Sequence, residues 1–298
     1  MRYFFVFVLT LFYLFLVLFY PNYFKEATYD VCNLFIKIII PSIIPMYIIS
    51  SLIVNNIFFI NLSNRILKRF KLFESPNSAS LLFCSMLVGN PTTAILAINK
   101  YKNNEISFND LNNILSTSFM NPLFIINSFN NFQLDINIAF LYILVSFLSN
   151  IFLLCKKYNN NNLDYNLTSS ETIYDCINSI SSLLLNIFTI TLLINFIKAP
   201  LKLVSSNNTI IMFLFDSLEI TTGIYSIIKY NVNSSLKFIL LSILFSLNGF
   251  SIIYQILFFL KQKVSVKYRH LKNNYIINKF KYMILNNTLF IILFKLLF

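Results

Sequence analysis

Apolar runs of roughly membrane-spanning length, separated by short polar links, recur along the whole chain. The core of a bilayer needs about 20 consecutive apolar residues per helix, and the runs fit about eight such segments. The pattern therefore predicts an all-α polytopic membrane protein. Residues 3–20 form the first run, for which a signal peptide is the alternative. The run is long for a signal core and no small-residue cleavage site follows it, so we expect an uncleaved transmembrane helix.

Most of the later runs are interrupted by proline, glycine or polar residues. The interruptions are PSIIP (41–45), GNPTTA (89–94), NP (121–122), EITTG (219–223) and NG (248–249). Proline removes a backbone hydrogen bond from a helix, and glycine adopts conformations that other residues avoid. All three glycines of the chain, Gly89, Gly223 and Gly249, fall at these interruptions. We therefore expect broken or re-entrant helices, with ordinary packing kinks as the alternative.

The interruptions occur in the same order in the two halves of the chain. NPTTAI (90–95) resembles EITTGI (219–224), and NPLFII (121–126) resembles NGFSII (248–253). We therefore expect two pseudo-symmetric repeats, inverted in the membrane. The parts are an N-terminal transmembrane helix with a loop (1–30), a first repeat (31–155), a polar linker (156–173), and a second repeat with a C-terminal transmembrane helix (174–298).

Composition removes several other classes of protein. Charged residues make up 11% of the chain and its mean hydropathy is +0.71, whereas soluble domains carry about 25% charged residues. The net charge of +12 lies mostly in loops, which indicates cytoplasmic loops and not nucleic-acid binding. The four cysteines include no C-x-x-C motif, so we expect no structural zinc or haem. No nucleophile–base pair or phosphate-binding loop is visible, and we expect no enzyme activity.

Paired interruptions at corresponding places in two halves are typical of the substrate site of a secondary transporter. Non-helical backbone at membrane depth is tolerated only against protein or a water-filled cavity, and free N–H groups at a half-helix N-terminus bind anions. The residues that we expect to contact substrate or ion are Gly89, Asn90, Thr92, Thr93, Asn121, Glu219, Thr221, Thr222, Gly223, Asn248, Ser251 and Gln255.

Two carboxylates, Asp216 and Glu219, lie inside an apolar run. Carboxylates within the membrane are costly and are by default functional candidates. Glu219 is part of the repeated motif, and it could bind a coupling ion, carry a proton or contact substrate. The alternatives are that Asp216 lies at a membrane interface and that Glu219 pairs structurally with another helix. We expect no bound cofactor, apart from Na⁺ or H⁺ as a coupling ion.

On these motifs the chain resembles the YlbJ (SpoVV) family of sporulation integral membrane proteins, which contains the nucleoside-recognition (Gate) domain. The resemblance covers residues 31–285 and rests on IIIPSIIPMYIISSLI, VGNPTTAILAINKYKNNEIS, NPLFII, SLEITTGIYSI and NGFSIIYQI. Asn90 stands where the family has an aromatic residue, and Thr93 and Asn248 stand where it has glycine. The resemblance implies a multipass transporter-like protein of the bacterial cell membrane. In a sporulating cell this would be the outer forespore membrane, across which dipicolinic acid moves.

Several functions remain open from the sequence. The first is alternating-access transport of dipicolinic acid or another small anionic or polar metabolite, and a nucleoside-like substrate is a variant of it. The second is a non-transporting scaffold in spore-envelope assembly, which predicts a dry, packed centre. A membrane-embedded enzyme has the least support. The expected partners are the lipid bilayer and a small-molecule substrate, with assembly into a homo-oligomer left open.

Overall fold

The structure is a computed structural model that describes residues 2–68, 73, 75–154, 173–200, 209–264 and 268–298. Within these ranges the chain is helical and contains no strand. The predicted polar linker (156–173) lies outside the described residues, except for its last residue.

The first half of the chain forms nine helices and one π-helical segment. They are α1 (Arg2–Phe19), α2 (Pro21–Leu34), the π segment (Phe35–Ile39), α3 (Ile40–Val54), α4 (Ile57–Lys68), α5 (Pro76–Val88), α6 (Thr92–Lys102), α7 (Phe108–Ser116), α8 (Pro122–Asn131) and α9 (Ile136–Leu154). The described part of the second half forms α10 (Ile173–Lys198), α11 (Thr209–Asp216), α12 (Ile220–Lys229), α13 (Ser234–Leu247), α14 (Gly249–Lys263) and α15 (Tyr268–Leu297).

Five helical segments of the described chain are long and apolar enough to cross a membrane. They are Pro21–Val54, Ile136–Leu154, Ile180–Lys198, Ser234–Lys263 and Tyr268–Leu297. The sequence predicts about eight segments because it also counts apolar runs that the structure divides into short helices. For example, α5 has 13 residues and α6 has 11. A helical membrane protein is thus supported, and the five long segments are its candidate spans.

The outward faces of these long helices are apolar. On α9, Phe140, Leu144 and Phe152 are each more than half exposed on a helix that contains no charged residue. On α15, Ile284 and Ile292 are exposed in the same way. Soluble monomers rarely expose contiguous apolar patches of this kind. Lipid is therefore the environment that these faces fit.

Two stretches differ from the sequence-based expectation. Residues 21–30 were expected to form a loop, but they are the first turns of α2. Pro21 occupies the first turn of that helix, where the fixed φ of proline is already helical and no N–H is needed. The PSIIP motif was expected to break its run, but α3 continues through Pro45 and the irregularity is the π segment just before it.

The two halves share one core. The long helices α9 and α15 pack together, and Ser146 on α9 lies 2.7 Å from the Tyr282 hydroxyl on α15. The Tyr142 ring lies between Phe245 and Phe290, with ring centroids 5.3 Å and 5.9 Å away. Helix α6 of the first half packs against α14 of the second, and α10 contacts both α3 and α14. These contacts bring the interrupted segments of both halves to the centre of the molecule.

Candidate functional site

The first break, residues 89–91, separates α5 from α6 and requires glycine. Gly89 has φ +68° and ψ −174°, a region that is essentially restricted to glycine. A Cβ atom on Gly89 would lie 2.3 Å from the Asn121 nitrogen and 2.5 Å from the Met120 carbonyl carbon. The backbone of the first break is therefore pressed directly against the second break.

The second break, residues 117–121, separates α7 from α8 and is fixed by asparagine side chains. Asn121 caps α8 by accepting hydrogen bonds from the backbone N–H groups of Leu123 (2.8 Å) and Phe124 (3.3 Å). Its amide nitrogen also donates to the Ser42 carbonyl on α3, at 3.0 Å. The backbone N–H of Asn90 donates to the Phe119 carbonyl at 2.8 Å, which joins the first two breaks.

The third break, residues 217–219, separates α11 from α12 and ends at a buried carboxylate. Glu219 caps α12: its Oε2 accepts from the Thr222 backbone N–H at 2.7 Å and from the Thr221 hydroxyl at 2.6 Å. A carboxylate at a helix N-terminus is stabilised by the helix dipole and by these donors. Glu219 has no exposed surface, and its other oxygen, Oε1, has no hydrogen-bond partner.

The fourth break is a single residue, Asn248, between α13 and α14. It adopts the left-handed conformation (φ 60°, ψ 17°), and Gly249 follows with φ +65°. The backbone N–H groups of Phe250 and Ser251 donate to carbonyls of the third break, at 3.2 Å and 3.0 Å. The third and fourth breaks are therefore joined by backbone hydrogen bonds, as the first two are.

A small cavity of about 50 Å³ lies between the first three breaks and the first turns of α14, which follow the fourth break. Seven of the residues expected to contact substrate line it: Asn90, Thr92, Asn121, Glu219, Thr221, Ser251 and Gln255. The rest of the lining is mainly apolar, with Ile43 on α3, Phe124 on α8 and Ile187 on α10 among its members. We refer to it as the central cavity.

The other five expected residues lie beside the central cavity without lining it. Gly89 and Gly223 allow close backbone contact, since a Cβ on Gly223 would lie 2.5 Å from the Asp216 carbonyl oxygen. The Thr93 hydroxyl donates to the Gly89 carbonyl at 3.0 Å and so satisfies the broken backbone. Thr222 and Asn248 do not line the cavity: the Thr222 hydroxyl contacts Asn195, and the Asn248 side chain contacts Lys279.

Polar atoms without a protein partner collect at the central cavity. They are Glu219 Oε1, Ser251 Oγ and both amide atoms of Gln255, and all of them are buried. A buried polar atom left unpaired costs about 1–3 kcal/mol, and more if it is charged. Water needs at least about 10–15 Å³ of such space, so the cavity has room for a few water molecules or one ion. The arrangement is that of a polar site whose hydrogen bonds the described part of the chain does not complete.

The charge of the central cavity is set by one residue. Of the described residues that line it, Glu219 alone is ionisable, and none of them is a lysine, arginine or histidine. A carboxylate without a nearby cation favours a cation, a proton or a neutral hydrogen-bonding solute. The structure therefore does not reproduce the anion-attracting environment that half-helix N-termini alone would suggest.

The sequence does not single out Lys279, because this residue lies in a stretch rich in basic residues (261–281) that is typical of a loop. In the structure it is on α15, 3% exposed, and its Nζ donates to the Asn248 side-chain oxygen at 3.0 Å with the amide oriented to accept it. The fourth break is therefore held by a buried lysine. The recurrence of Tyr275, Lys279, Tyr282 and Asn286 at helical spacing is the signal that identifies this buried face.

Lys198 was also missed. It lies at the end of α10 and forms a buried ion pair with Asp216, whose other oxygen accepts a hydrogen bond of 2.5 Å from the Tyr230 hydroxyl. Burial, together with this hydrogen bond to Asp216, raises the pKa of Tyr230 well above its usual value, so the phenol remains the donor. Asp216 is thus buried and ion-paired within the protein, a role that the sequence does not predict for it.

Comparison of the chain with protein-family models, curated proteins and solved structures finds no match.

Proposed function

We propose that this protein is a membrane transporter that moves a small polar metabolite by alternating access, with H⁺ or Na⁺ bound at Glu219. The observation that carries the proposal is the central cavity, which lies beside the breaks and where several buried polar atoms lack a partner among the described residues. A scaffold in an envelope needs no such cavity. Unpaired polar groups are costly, so their concentration at one place favours a site that a ligand or ion completes.

The arrangement of the breaks supports movement of one part against another. In each half, two breaks are joined by backbone hydrogen bonds and are followed by a long helix, α9 or α15. The predicted repeat requires such a parallel order, and the repeat itself stays a prediction. In repeat-built transporters, broken helices meet near the middle of the bilayer and the halves rock around them. A cavity of about 50 Å³ is too small for a metabolite, so substrate binding requires a more open arrangement.

The charge of the central cavity narrows the class of solute. With Glu219 ionised and no cation in the lining, a dianion such as dipicolinic acid would be repelled. Protonation of Glu219, or a sodium ion beside it, removes this repulsion. A neutral solute with hydroxyl or amide groups, of the nucleoside type, needs no such compensation. Substrate choice should therefore depend on the coupling ion.

The test is uptake into proteoliposomes that contain the purified protein. Labelled dipicolinate and uridine are each offered under an inward proton gradient, an inward sodium gradient, or neither. We expect uptake of one of them to follow one gradient, and Glu219→Gln to abolish the gradient dependence. Absence of uptake under every condition by folded protein would contradict transport of these solutes and favour the scaffold.

Two adjacent threonines provide a matched control. Thr92 lines the central cavity, whereas Thr93 does not and bonds to the Gly89 carbonyl instead. We expect Thr92→Val to weaken substrate binding, measured as a raised KM for uptake, and Thr93→Val to change it less. If both variants behave alike at equal stability, the central cavity is not the substrate site.

A further inference from the structure

A second and larger cavity, of about 170 Å³, lies between α2, α10 and α12. The sequence motifs do not predict this cavity, although Thr222, which belongs to the EITTG motif (219–223), is part of its lining. Its polar lining consists of Asp30, Asn195, Lys198, Thr222, Tyr225, Ser226 and Lys229. We call it the lateral cavity. A larger share of its lining residues is polar than in the central cavity, and two of them are lysines.

Lys198 lies at the buried end of the lateral cavity. Its side chain is 5% exposed, and its ammonium group pairs with Asp216 Oδ1. An ammonium group has three N–H donors, and the described residues offer Lys198 no hydrogen bond beyond this ion pair. The remaining donors therefore border the cavity without an acceptor among the residues that the structure describes. This is the chemistry that a carboxylate completes.

The outer end of the lateral cavity is also basic. Lys229 is exposed there, with its ammonium group over the Tyr225 ring at 3.8 Å. Asp30, which is half-buried, is the one acidic residue among the described residues that line the cavity. Lys229 at the surface and Lys198 at the bottom would attract an anion, whereas Asp30 and Asp216, the ion-pair partner of Lys198, would oppose it.

We propose that the lateral cavity is a binding site for a small organic carboxylate, with Lys198 as its anchor and Lys229 at its entrance. Asn195, Thr222 and Ser226 supply further hydrogen-bonding groups along its wall. The site is separate from the central cavity, so carboxylate binding there does not depend on the proposed transport. If transport also holds, the lateral cavity is where an anionic solute would bind outside the acidic centre.

The experiment uses purified full-length protein in detergent and two isosteric pairs of probes. Benzoate and lactate carry the carboxylate, and benzamide and lactamide are their neutral counterparts. Binding is measured by isothermal titration calorimetry, with empty micelles as the blank. We expect at least one carboxylate to bind about ten-fold or more tightly than its amide, because a charge-assisted hydrogen bond to Lys198 is lost in the amide.

Charge variants at the mouth test the site itself. We expect Lys229→Gln to weaken carboxylate binding several-fold and Asp30→Asn to strengthen it, while Ser251→Ala in the central cavity leaves it unchanged. Lys198→Met combined with Asp216→Asn removes the buried pair without leaving one charge alone, and it should abolish binding in folded protein. Equal binding of acid and amide, no binding of either acid, or no response to these variants would overturn the proposal.

The two proposals can fail separately. Glu219→Gln is expected to remove ion-coupled uptake and to leave carboxylate binding to detergent-solubilised protein in place. Carboxylate binding without uptake would refute transport alone, and uptake without carboxylate binding would refute the lateral site alone.

Discussion

Substitution of Gly89 by alanine should destabilise the protein more than any other glycine-to-alanine change. The residue has φ +68° and ψ −174°, which alanine avoids. In addition, the new Cβ would lie within 2.3–2.9 Å of three main-chain atoms of Met120 and Asn121. Main-chain atoms cannot rotate away as a flexible side chain would, so the first and second breaks must separate.

The magnitude follows from two separate costs. Backbone strain at such a conformation costs about 1–3 kcal/mol, and overpacking costs about 1–3 kcal/mol more. Together they give a loss of about 2–6 kcal/mol. In a domain of comparable size, 1 kcal/mol lowers the melting temperature by about 2–4 °C. We therefore expect Gly89→Ala to melt on the order of 10 °C lower than the unsubstituted protein.

The assay uses the cysteine content of the chain. There is no tryptophan, but Cys84 is fully buried on α5, close to the first break. A maleimide dye that fluoresces on reaction with thiols, applied with the other three cysteines replaced by alanine, reports when this region opens. Gly223→Ala has a close contact but an ordinary helical φ, so it should cost about half as much. If Gly89→Ala has the same melting temperature as the control Ser85→Ala, the first and second breaks are not in contact.

Three further predictions concern buried ionisable groups. The same melting assay measures the first two, and thermal unfolding followed by circular dichroism measures the third, because maleimides hydrolyse in alkaline solution. Lys198→Met should lower the free energy of unfolding by about 3–5 kcal/mol, because it leaves the Asp216 carboxylate buried without its cation. Adding Asp216→Asn should recover most of this loss. No recovery would contradict the ion pair. Lys279→Met should leave the free energy of unfolding unchanged or raise it, since no carboxylate of the described residues pairs with Lys279. A loss of stability as large as that of Lys198→Met would show that Lys279 has a counter-charge. The raised pKa of Tyr230 means that this phenol ionises first in the unfolded chain, so its contribution to stability is complete below about pH 10 and falls above it. Tyr230→Phe should therefore flatten the loss of stability between pH 9 and pH 11, and an unchanged slope would contradict the assignment.

The positions of the breaks could be predicted because they depend on the backbone preferences of proline and glycine. Helix α5 ends immediately before Gly89, α8 begins immediately after Asn121, and α14 begins at Gly249. Proline at a helix start and glycine at positive φ are among the few residues whose backbone preference survives any tertiary context. At 41–45 the same reasoning fails. A break was expected there, but α3 continues through Pro45 and follows directly on the π segment.

The orientation of polar side chains around the breaks could not be predicted from the sequence. Thr92 and Thr93 are identical neighbours in one motif, yet one lines the central cavity and the other bonds to backbone. Lys279 is buried within a stretch whose other basic residues resemble a loop, because burial depends on the helix face that packs inward. Such distinctions arise from helix rotation and packing between the halves, and composition or motif order does not contain them.

Thr222 places the two cavities in electrostatic contact. Its hydroxyl lies 3.1 Å from Glu219 Oε2 in the third break and 2.9 Å from Asn195 Oδ1 on α10. A hydroxyl has one hydrogen to donate, so it serves one acceptor at a time. An ionised Glu219 is the stronger acceptor, whereas a protonated Glu219 leaves the hydrogen to Asn195, which lines the lateral cavity. The charge state of the central cavity is thereby linked to the hydrogen bonding of the lateral one. A proton at Glu219 would thus shift the Thr222 hydrogen bond toward Asn195 without removing any of the groups that line the lateral cavity.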